Sequence, residues 1–135
     1  MKKDELVKLI CAKVISTNRI DKKDLENSSF CGRDSIYKQG LYFLYNDSGD
    51  VIYIGMLSDT DGTSLYDRMK GHGSGSHCRQ SWYGDVRYGK FYHFDVSVNE
   101  LKILERLAIS GMGQPMYNDG HNLTQTCIDN LSSKI

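Results

Sequence analysis

Residues 40–55 read GLYFLYNDSGDVIYIG, and this stretch decides the fold. Its first part, 40–45, and its last part, 51–54, are rich in aromatic and branched residues, which favour extended strands. The segment between them, 46–50, holds asparagine, aspartate, serine and glycine, which are the residue types that favour turns. The pattern predicts a β-hairpin whose strands run from Gly40 to Asn46 and from Val51 to Gly55.

A third strand is predicted further along the chain, over Phe91 to Val98. Apolar residues recur here at every second position, which is the period of a strand with one buried face. The members of that face are Tyr92, Phe94, Val96 and Val98. The three strands are expected to form one small antiparallel sheet.

Helices are predicted on both sides of these strands in the sequence. One runs from Lys3 to Ile15, one covers 65–71 with Ser64 as N-cap and glycines at 71 and 73 as its end, and one runs from a cap at Asn99 to Ser110. The last has an apolar stripe of Leu101, Leu104, Ala108 and Met112. The expected fold class is α+β, a small three-stranded antiparallel sheet flanked by helices, with an N-terminal helical extension.

Composition limits the function classes. The chain has 135 residues, a size typical of one domain, and no apolar run long enough to cross a bilayer. Its four cysteines form no CxxC pair, so reduced thiols and a cytoplasmic location are expected. Seventeen basic and seventeen acidic residues give a net charge of zero, which argues against a non-specific binder of nucleic acid.

Charge is nevertheless unevenly distributed. Residues 1–39 hold nine Lys and Arg against six Asp and Glu, and residues 66–93 hold five against two. The second segment favours a local basic and aromatic patch, although a solvated loop with chance charges has the same composition. The candidates for nucleic-acid contact are Lys70, His77, Arg79, Arg87 and Lys90.

Two tripeptides in the hairpin resemble the signature of a known protein family. Gly40-Leu41-Tyr42 and Tyr53-Ile54-Gly55, with ten residues between the tyrosines, resemble the paired signature of the GIY-YIG endonucleases, with Leu41 in place of the usual isoleucine. Four further residues occur in the family's order and approximate spacing: Arg68, His72, Glu105 and Asn118. The resemblance covers residues 40–120. It leaves 1–39 as an N-terminal helical extension and 121–135 as a C-terminal segment packed on the domain.

The resemblance implies a metal-dependent DNA endonuclease that leaves 5′-phosphate and 3′-hydroxyl ends. Tyr42 would help to deprotonate the attacking water with His72 behind it, while Tyr53 positions water or phosphate. Arg68 would stabilise the phosphorane, and Asn118 would hold the active-site loop or touch the phosphate. Glu105 would be the only protein ligand of one Mg²⁺ or Mn²⁺ ion.

Arg68, His72 and Glu105 also have purely structural interpretations. Arg68 and His72 are four apart, so on a helix they share a face and can reach one phosphate, but such a pair is also common on a solvated surface. Glu105 falls inside the apolar stripe, where a carboxylate must be paired. A salt bridge with Lys102 satisfies that need as a metal does, since Mg²⁺ accepts one carboxylate plus waters.

The tyrosines and the remaining polar residues also have structural interpretations. The tyrosines could be ordinary sheet aromatics, and Asn118 could be a turn residue after Pro115. A zinc site built from His72, His77, Cys78 and Cys127 fits no common zinc spacing. A non-cutting nucleic-acid-binding or protein-interaction module on the same fold is the main competitor to a nuclease. Specificity could come from residues 1–39, from the loop at Gly71 to Tyr88, from a homodimer or from a partner protein.

Overall fold

The computed structural model describes residues 1–74, 81–113, 115 and 125–135. Six α-helices, two short 3-10 helices and four strands lie in these ranges. The helices are α1 (Lys3–Ile15), α2 (Lys22–Leu25), α3 (Ser28–Cys31), α4 (Leu65–Ser74), α5 (Val98–Gly111) and α6 (Gln125–Ser132). The strands are β1 (Ile20–Asp21), β2 (Gly40–Tyr45), β3 (Val51–Leu57) and β4 (Tyr88–His93). The α+β class is confirmed.

The strands form one antiparallel sheet in the order β1-β4-β2-β3. The prediction of three strands was wrong, because the described part of the chain holds a fourth. This strand is the two-residue β1, in which Ile20 pairs with Gly89 and Asp21 with Tyr88. So short a strand has no period to detect in a sequence, and it forms because β4 offers it a free edge.

Two hydrophobic cores cover the two faces of the sheet. Every residue of β2 is buried, and its side chains alternate between the cores, as the period of two requires. Leu41 and Phe43 enter the core that α1, α5 and α6 share, here called the α5 face. Tyr42 and Leu44 enter the core that includes residues of α2, α3 and α4, here called the α4 face.

A β-bulge in the hairpin sets the direction of Tyr53. Leu44 pairs with Tyr53, but Tyr45 pairs with Val51, so that Ile52 is the extra residue on β3. Counting in twos from Val51, which packs on the α5 face, would place Tyr53 on that same face. The bulge instead turns Ile52 and Tyr53 both to the α4 face. Tyr42 and Tyr53 therefore share a face of the sheet.

The third predicted strand was displaced along the chain. It begins at Tyr88 and ends at His93, rather than running from Phe91 to Val98. The early start comes from pairing with β1, and the early end from a capping box in which the Ser97 side chain accepts from the Glu100 N–H. Ser97 is therefore the cap of α5, and the prediction of a cap at Asn99 was wrong. The predicted stripe Leu101, Leu104 and Ala108 is buried.

Helix α4 continues past the glycines that were predicted to end it. Ser64 caps the helix as predicted, because its hydroxyl accepts from the Asp67 N–H at 3.1 Å. The helix then runs through Gly71 and Gly73 to Ser74. A Cβ on Gly73 would lie 3.1 Å from the Tyr83 ring, so the glycine allows close packing here rather than a break.

Residues 1–39 and 125–135 pack into the same cores as the hairpin. Leu6, Ile10 and Val14 of α1 are buried among α5 residues, and α6 contributes Ile128 and Leu131. Leu25 and Cys31 belong to the core of the α4 face. Residue 39 is therefore a boundary of sequence resemblance and not of packing.

Two expectations from composition concern the chain as a whole. Within the described ranges, no helix has the length and apolar character needed to cross a bilayer. Cys11 and Cys31 are buried and free. Burial raises the pKa of the Cys11 thiol to about 11, so this thiol is protonated and unreactive at neutral pH.

Candidate active site

Tyr42, Tyr53 and His72 meet on the α4 face of the sheet. The Tyr42 hydroxyl lies 2.9 Å from Nε2 of His72, and both side chains are buried, at 2% and 7% exposure. The Tyr53 ring contacts the His72 imidazole edge-on, with 5.0 Å between ring centroids. The two tyrosine hydroxyls are hydrogen-bonded to each other. These contacts make a chain from Tyr53 through Tyr42 to His72.

Gly55 makes room for this arrangement. It lies opposite Tyr42 in the sheet, and a Cβ at this position would overlap the Tyr42 phenol. The phenol crosses the glycine and approaches His72 on α4. Gly55 of the second tripeptide therefore allows Tyr42 of the first tripeptide to take this position.

Arg68 lies one helical turn before His72 on α4 and interacts electrostatically with the tyrosines. Its charge lowers the pKa of both Tyr42 and Tyr53, although burial outweighs this effect and raises both values. The phenols therefore keep their protons at neutral pH. A proton taken from water by either must be passed on, and His72 is the group in contact that can take it.

Glu105 on α5 interacts electrostatically with Arg68 and with both tyrosines. Burial raises the pKa of this carboxyl from its usual 4.5 to about 7. Among the groups that oppose the increase, Arg68 has the largest effect, followed by Arg106 and a hydrogen bond from the backbone of Met56 in the edge strand β3. Lys102, the partner that sequence spacing suggested, has a smaller effect than Arg68. The carboxyl therefore belongs to the group that contains Arg68.

The donor set of the site fits a single hard cation held by one residue. Glu105 raises the pKa of both tyrosines, and among the residues that the structure describes it is the one carboxylate that does so. In the described ranges no group of three or more His, Cys, Asp or Glu side chains could hold a metal. An ion held by Glu105 alone would keep most of its waters, as Mg²⁺ does.

Trp82 and Tyr83 also line the site, although sequence analysis did not identify them. The Trp82 ring stacks on Tyr53, with centroids 4.7 Å apart and planes 22° apart, and lies 5.2 Å from His72. Tyr83 stacks against the imidazole with 6.5 Å between centroids, and its ring lies 6.4 Å from that of Trp82. Trp82 is the only tryptophan of the chain, which was the available signal.

The other residues predicted from the sequence do not all lie at this site. Lys70 is exposed on α4, about 200° around the helix from Arg68. Arg87 pairs with Asp47 at the hairpin end of the sheet. Lys90 donates to the Ile15 carbonyl and lies over the Tyr45 ring, which is on the α5 face. The last three predicted residues, His77, Arg79 and Asn118, lie outside the described residues, as does Cys78 of the zinc hypothesis.

The Glu105 carboxyl is expected to make stability depend on pH. Its folded pKa of about 7 exceeds the usual 4.5, so the folded state holds this proton more tightly than the unfolded state does. The contribution is fully present below pH 4.5 and is lost as the pH rises through about 7. We expect a loss of about 1 to 3 kcal/mol in metal-free protein, measured by denaturant unfolding between about pH 4.5 and 7.5.

The matched variant is Glu105→Gln, which carries no titrating group and should lack this part of the pH dependence. Mg²⁺ should restore stability to the wild type at about pH 7.5 and have little effect at about pH 5, because the ion competes with the proton. Parallel pH profiles of wild type and variant would contradict the raised pKa.

No family model, curated protein or solved structure gave a match to this chain. The resemblance to the GIY-YIG nucleases stands on six positions in the sequence. The structure adds contacts among Tyr42, Tyr53 and His72, and electrostatic interactions of Arg68 and Glu105 with the two tyrosines.

Proposed function

We propose that the protein is a metal-dependent DNA endonuclease of the GIY-YIG type, which hydrolyses a phosphodiester bond to 5′-phosphate and 3′-hydroxyl ends. The observation that carries this proposal is the 2.9 Å contact between Tyr42 and His72, inside a site whose charges are Arg68 and Glu105. A proton acceptor, a cation for phosphate and a carboxylate for a metal are the groups that in-line hydrolysis needs.

Burial favours Tyr53 as the tyrosine that reaches the substrate. Tyr42 is 2% exposed, whereas Tyr53 is half-buried, and after burial Glu105 has the largest effect on the Tyr53 pKa. The proton of the attacking water passes to the Tyr53 oxygen as the Tyr53 proton passes to Tyr42, and the Tyr42 proton passes to Nε2 of His72. The products of this relay are hydroxide and a protonated imidazole, so the charges balance. Tyr42 is then a positioning and relay residue.

Arg68 and Glu105 act on the phosphate. The Arg68 guanidinium offers forked donors to two phosphate oxygens and stabilises the charge that grows on them. Glu105 would hold a divalent ion, and such an ion would supply positive charge to the leaving 3′ oxygen. Asn118 stays a candidate for contact with the phosphate or the loop.

Cleavage of a panel of DNA substrates tests the proposal. Single-stranded, duplex, nicked and branched oligonucleotides are incubated with Mg²⁺, with Mn²⁺ or with a chelator, and the product ends are mapped. We expect cutting that requires the metal and leaves 5′-phosphate and 3′-hydroxyl ends. Intact DNA in every metal-containing reaction, together with a shift in a binding assay, would instead identify a non-cutting binding module.

The relay makes a separate prediction for the two tyrosines. Tyr42→Phe and Tyr53→Phe should each lower kcat by about 10²–10⁴, because either change interrupts proton transfer to His72. Only Tyr53→Phe should also raise KM, since Tyr42 does not reach the substrate. The matched control is Tyr92→Phe on the α5 face, which should cut at the wild-type rate. A wild-type kcat for Tyr42→Phe rules out the relay.

A further inference from the structure

A cavity of about 240 Å³ lies beside the beginning of α4, outside the group of side chains around His72. It is smaller than the cavities of about 300–1,000 Å³ that enclose drug-sized ligands. Its lining includes Arg33, Tyr37, Lys38, Asp59, Thr63 and Ser64. Half of the lining residues belong to residues 1–39, outside the segment that carries the nuclease resemblance, and the other half to the loop between β3 and α4.

The charge of this cavity favours an anion. Arg33 and Lys38 are exposed, and Asp59 is the carboxylate among the lining residues. Both cations come from residues 1–39, the segment in which basic residues exceed acidic ones by three. Arg33 also lowers the pKa of Asp67, but hydrogen bonds from Ser64 have the larger effect on that carboxyl. Two exposed cations at an open cavity suit a phosphate in solvent.

An aromatic surface lies next to these cations. The Phe30 ring stacks on Tyr37, with centroids 5.9 Å and planes 25° apart, and Phe30 remains 43% exposed. Tyr37 is held in turn by an edge-on contact of 5.6 Å with Phe91 in the sheet. Ile36 beside them is 84% exposed. One aromatic ring is therefore anchored and the next presents a free area to solvent, which is the arrangement that stacks an unpaired base.

The cavity is aligned with the candidate active site along α4. Ser64 lines the cavity, and its carbonyl accepts from the Arg68 N–H at 3.1 Å. Four residues of helix rise about 6 Å, so Arg68 lies one turn further along the same face and His72 one turn beyond it. A nucleic-acid strand with one phosphate at Arg68 can therefore place a neighbouring nucleotide at the cavity.

We propose that this cavity binds an unpaired nucleotide of the substrate strand, next to the phosphate that is cut. Its base stacks on Phe30, and its phosphate lies between Arg33 and Lys38. A base in a continuous duplex has both faces covered by its neighbours and cannot use such a surface. The substrate class is then DNA with an unpaired nucleotide near the cut, as in single strands, flaps and branches. This inference rests on the proposed function for the position of the cut, but not for binding.

The test measures binding without metal, so that cutting plays no part. Fluorescence anisotropy is recorded in chelator with a labelled single-stranded oligonucleotide and with the duplex of the same sequence. We expect tighter binding of the single strand. Phe30→Leu should weaken single-strand binding about 5- to 150-fold and leave duplex binding unchanged, whereas Phe30→Tyr should keep the wild-type affinity because it keeps the ring.

The cations are tested in the same assay. Arg33→Gln should weaken single-strand binding and reduce the slope of log affinity against log salt by about 0.7. The matched control is Arg19→Gln, since Arg19 lies over the Tyr88 ring on the α5 face and pairs with Asp21. That change should leave both the affinity and the slope as in wild type. Phe30 and Arg33 are exposed, so unfolding midpoints should not change.

The outcomes separate this inference from the proposed function. Equal affinity for single strand and duplex, or an unchanged affinity in Phe30→Leu, would overturn the nucleotide site even if the protein cuts DNA. Binding that depends on Phe30 and Arg33 in a protein that cuts nothing would support the site and remove the nuclease. Self-association that Phe30→Leu abolishes, without oligonucleotide binding, would assign the surface to a second copy of the chain and overturn the inference.

Discussion

Glu105→Gln is expected to lower the rate of Mg²⁺-dependent cleavage by at least about 10²–10³-fold, the size of the loss when a major electrostatic contact to a transition state is removed. The substitution keeps the size of the side chain and removes the charge that would hold the metal. DNA affinity should fall little, because Lys and Arg contacts with phosphates supply most of it. Cleavage rate at saturating Mg²⁺ and the dissociation constant in chelator are measured on both proteins.

The stability of this variant separates two roles for Glu105. A surface ion pair with Lys102 would lose about 0 to 1 kcal/mol in the variant and leave cutting intact. We expect no such loss of stability. A carboxyl with a pKa of about 7 is costly to ionise, whereas a glutamine in its place carries no charge. The variant should therefore be as stable as wild type at about pH 7.5, or more so. Glu5→Gln on the exposed face of α1 is the matched control. Near-wild-type cutting by Glu105→Gln would falsify the metal-ligand role.

Gly55→Ala is expected to destabilise the fold by about 1–3 kcal/mol or more, because the added Cβ overlaps the Tyr42 phenol in a packed core. Relief of that overlap must move the phenol away from His72. The variant should therefore also lose cleavage activity under conditions in which it is still folded. Unfolding in denaturant and the cleavage rate of the folded fraction measure the two effects.

Two further variants identify the cause. Gly84→Ala adds the same atom where nothing lies within 4 Å, and it should unfold like wild type. Tyr42→Leu removes the overlapping phenol, so adding Gly55→Ala to it should cost less than Gly55→Ala costs in wild type. The difference is the coupling energy of the pair. Equal costs in the two backgrounds would show that the overlap is not the cause.

The period of apolar residues was sufficient to predict an element that buries a single face. The bounds of α1 were correct, because Leu6, Ile10 and Val14 repeat with the helical period and the helix packs on a single core. The turn residues 46–50 located the hairpin for a similar local reason. In both places the information lies within a few neighbouring residues.

Features that depend on distant contacts could not be obtained in this way. The glycines in α4 indicate an end to the helix, but the Tyr83 ring packs against Gly73 and the helix continues. The two-residue strand β1 exists only because β4 is beside it. The bulge at Ile52 turns Tyr53 to the opposite face of the sheet, and the pattern of side chains over residues 51–54 does not predict this bulge. These are cases in which tertiary packing overrides a local signal.

The candidate site shows the same division. Spacing on one helix placed Arg68 and His72 on a common face, and the resemblance supplied Glu105 and the two tyrosines. Trp82 was missed because it belongs to a short 3-10 helix, Ser81–Asp85, that has no pattern of its own. Its stacking on Tyr53 follows from where that helix packs, which only the structure provides.

The pairing of Ile20 with Gly89 joins two parts of the chain that are made far apart in time. During synthesis β1 has no partner until β4 emerges from the ribosome, and α1 has no helix to pack on until α5 follows. Contacts of this kind are slow to form, because a long loop must close before any of them is gained. Glu105 is carried by the late helix. A nascent chain that has already paired Tyr42 with His72 therefore still lacks Glu105, and under the proposed function it would cut DNA only after these late contacts have closed.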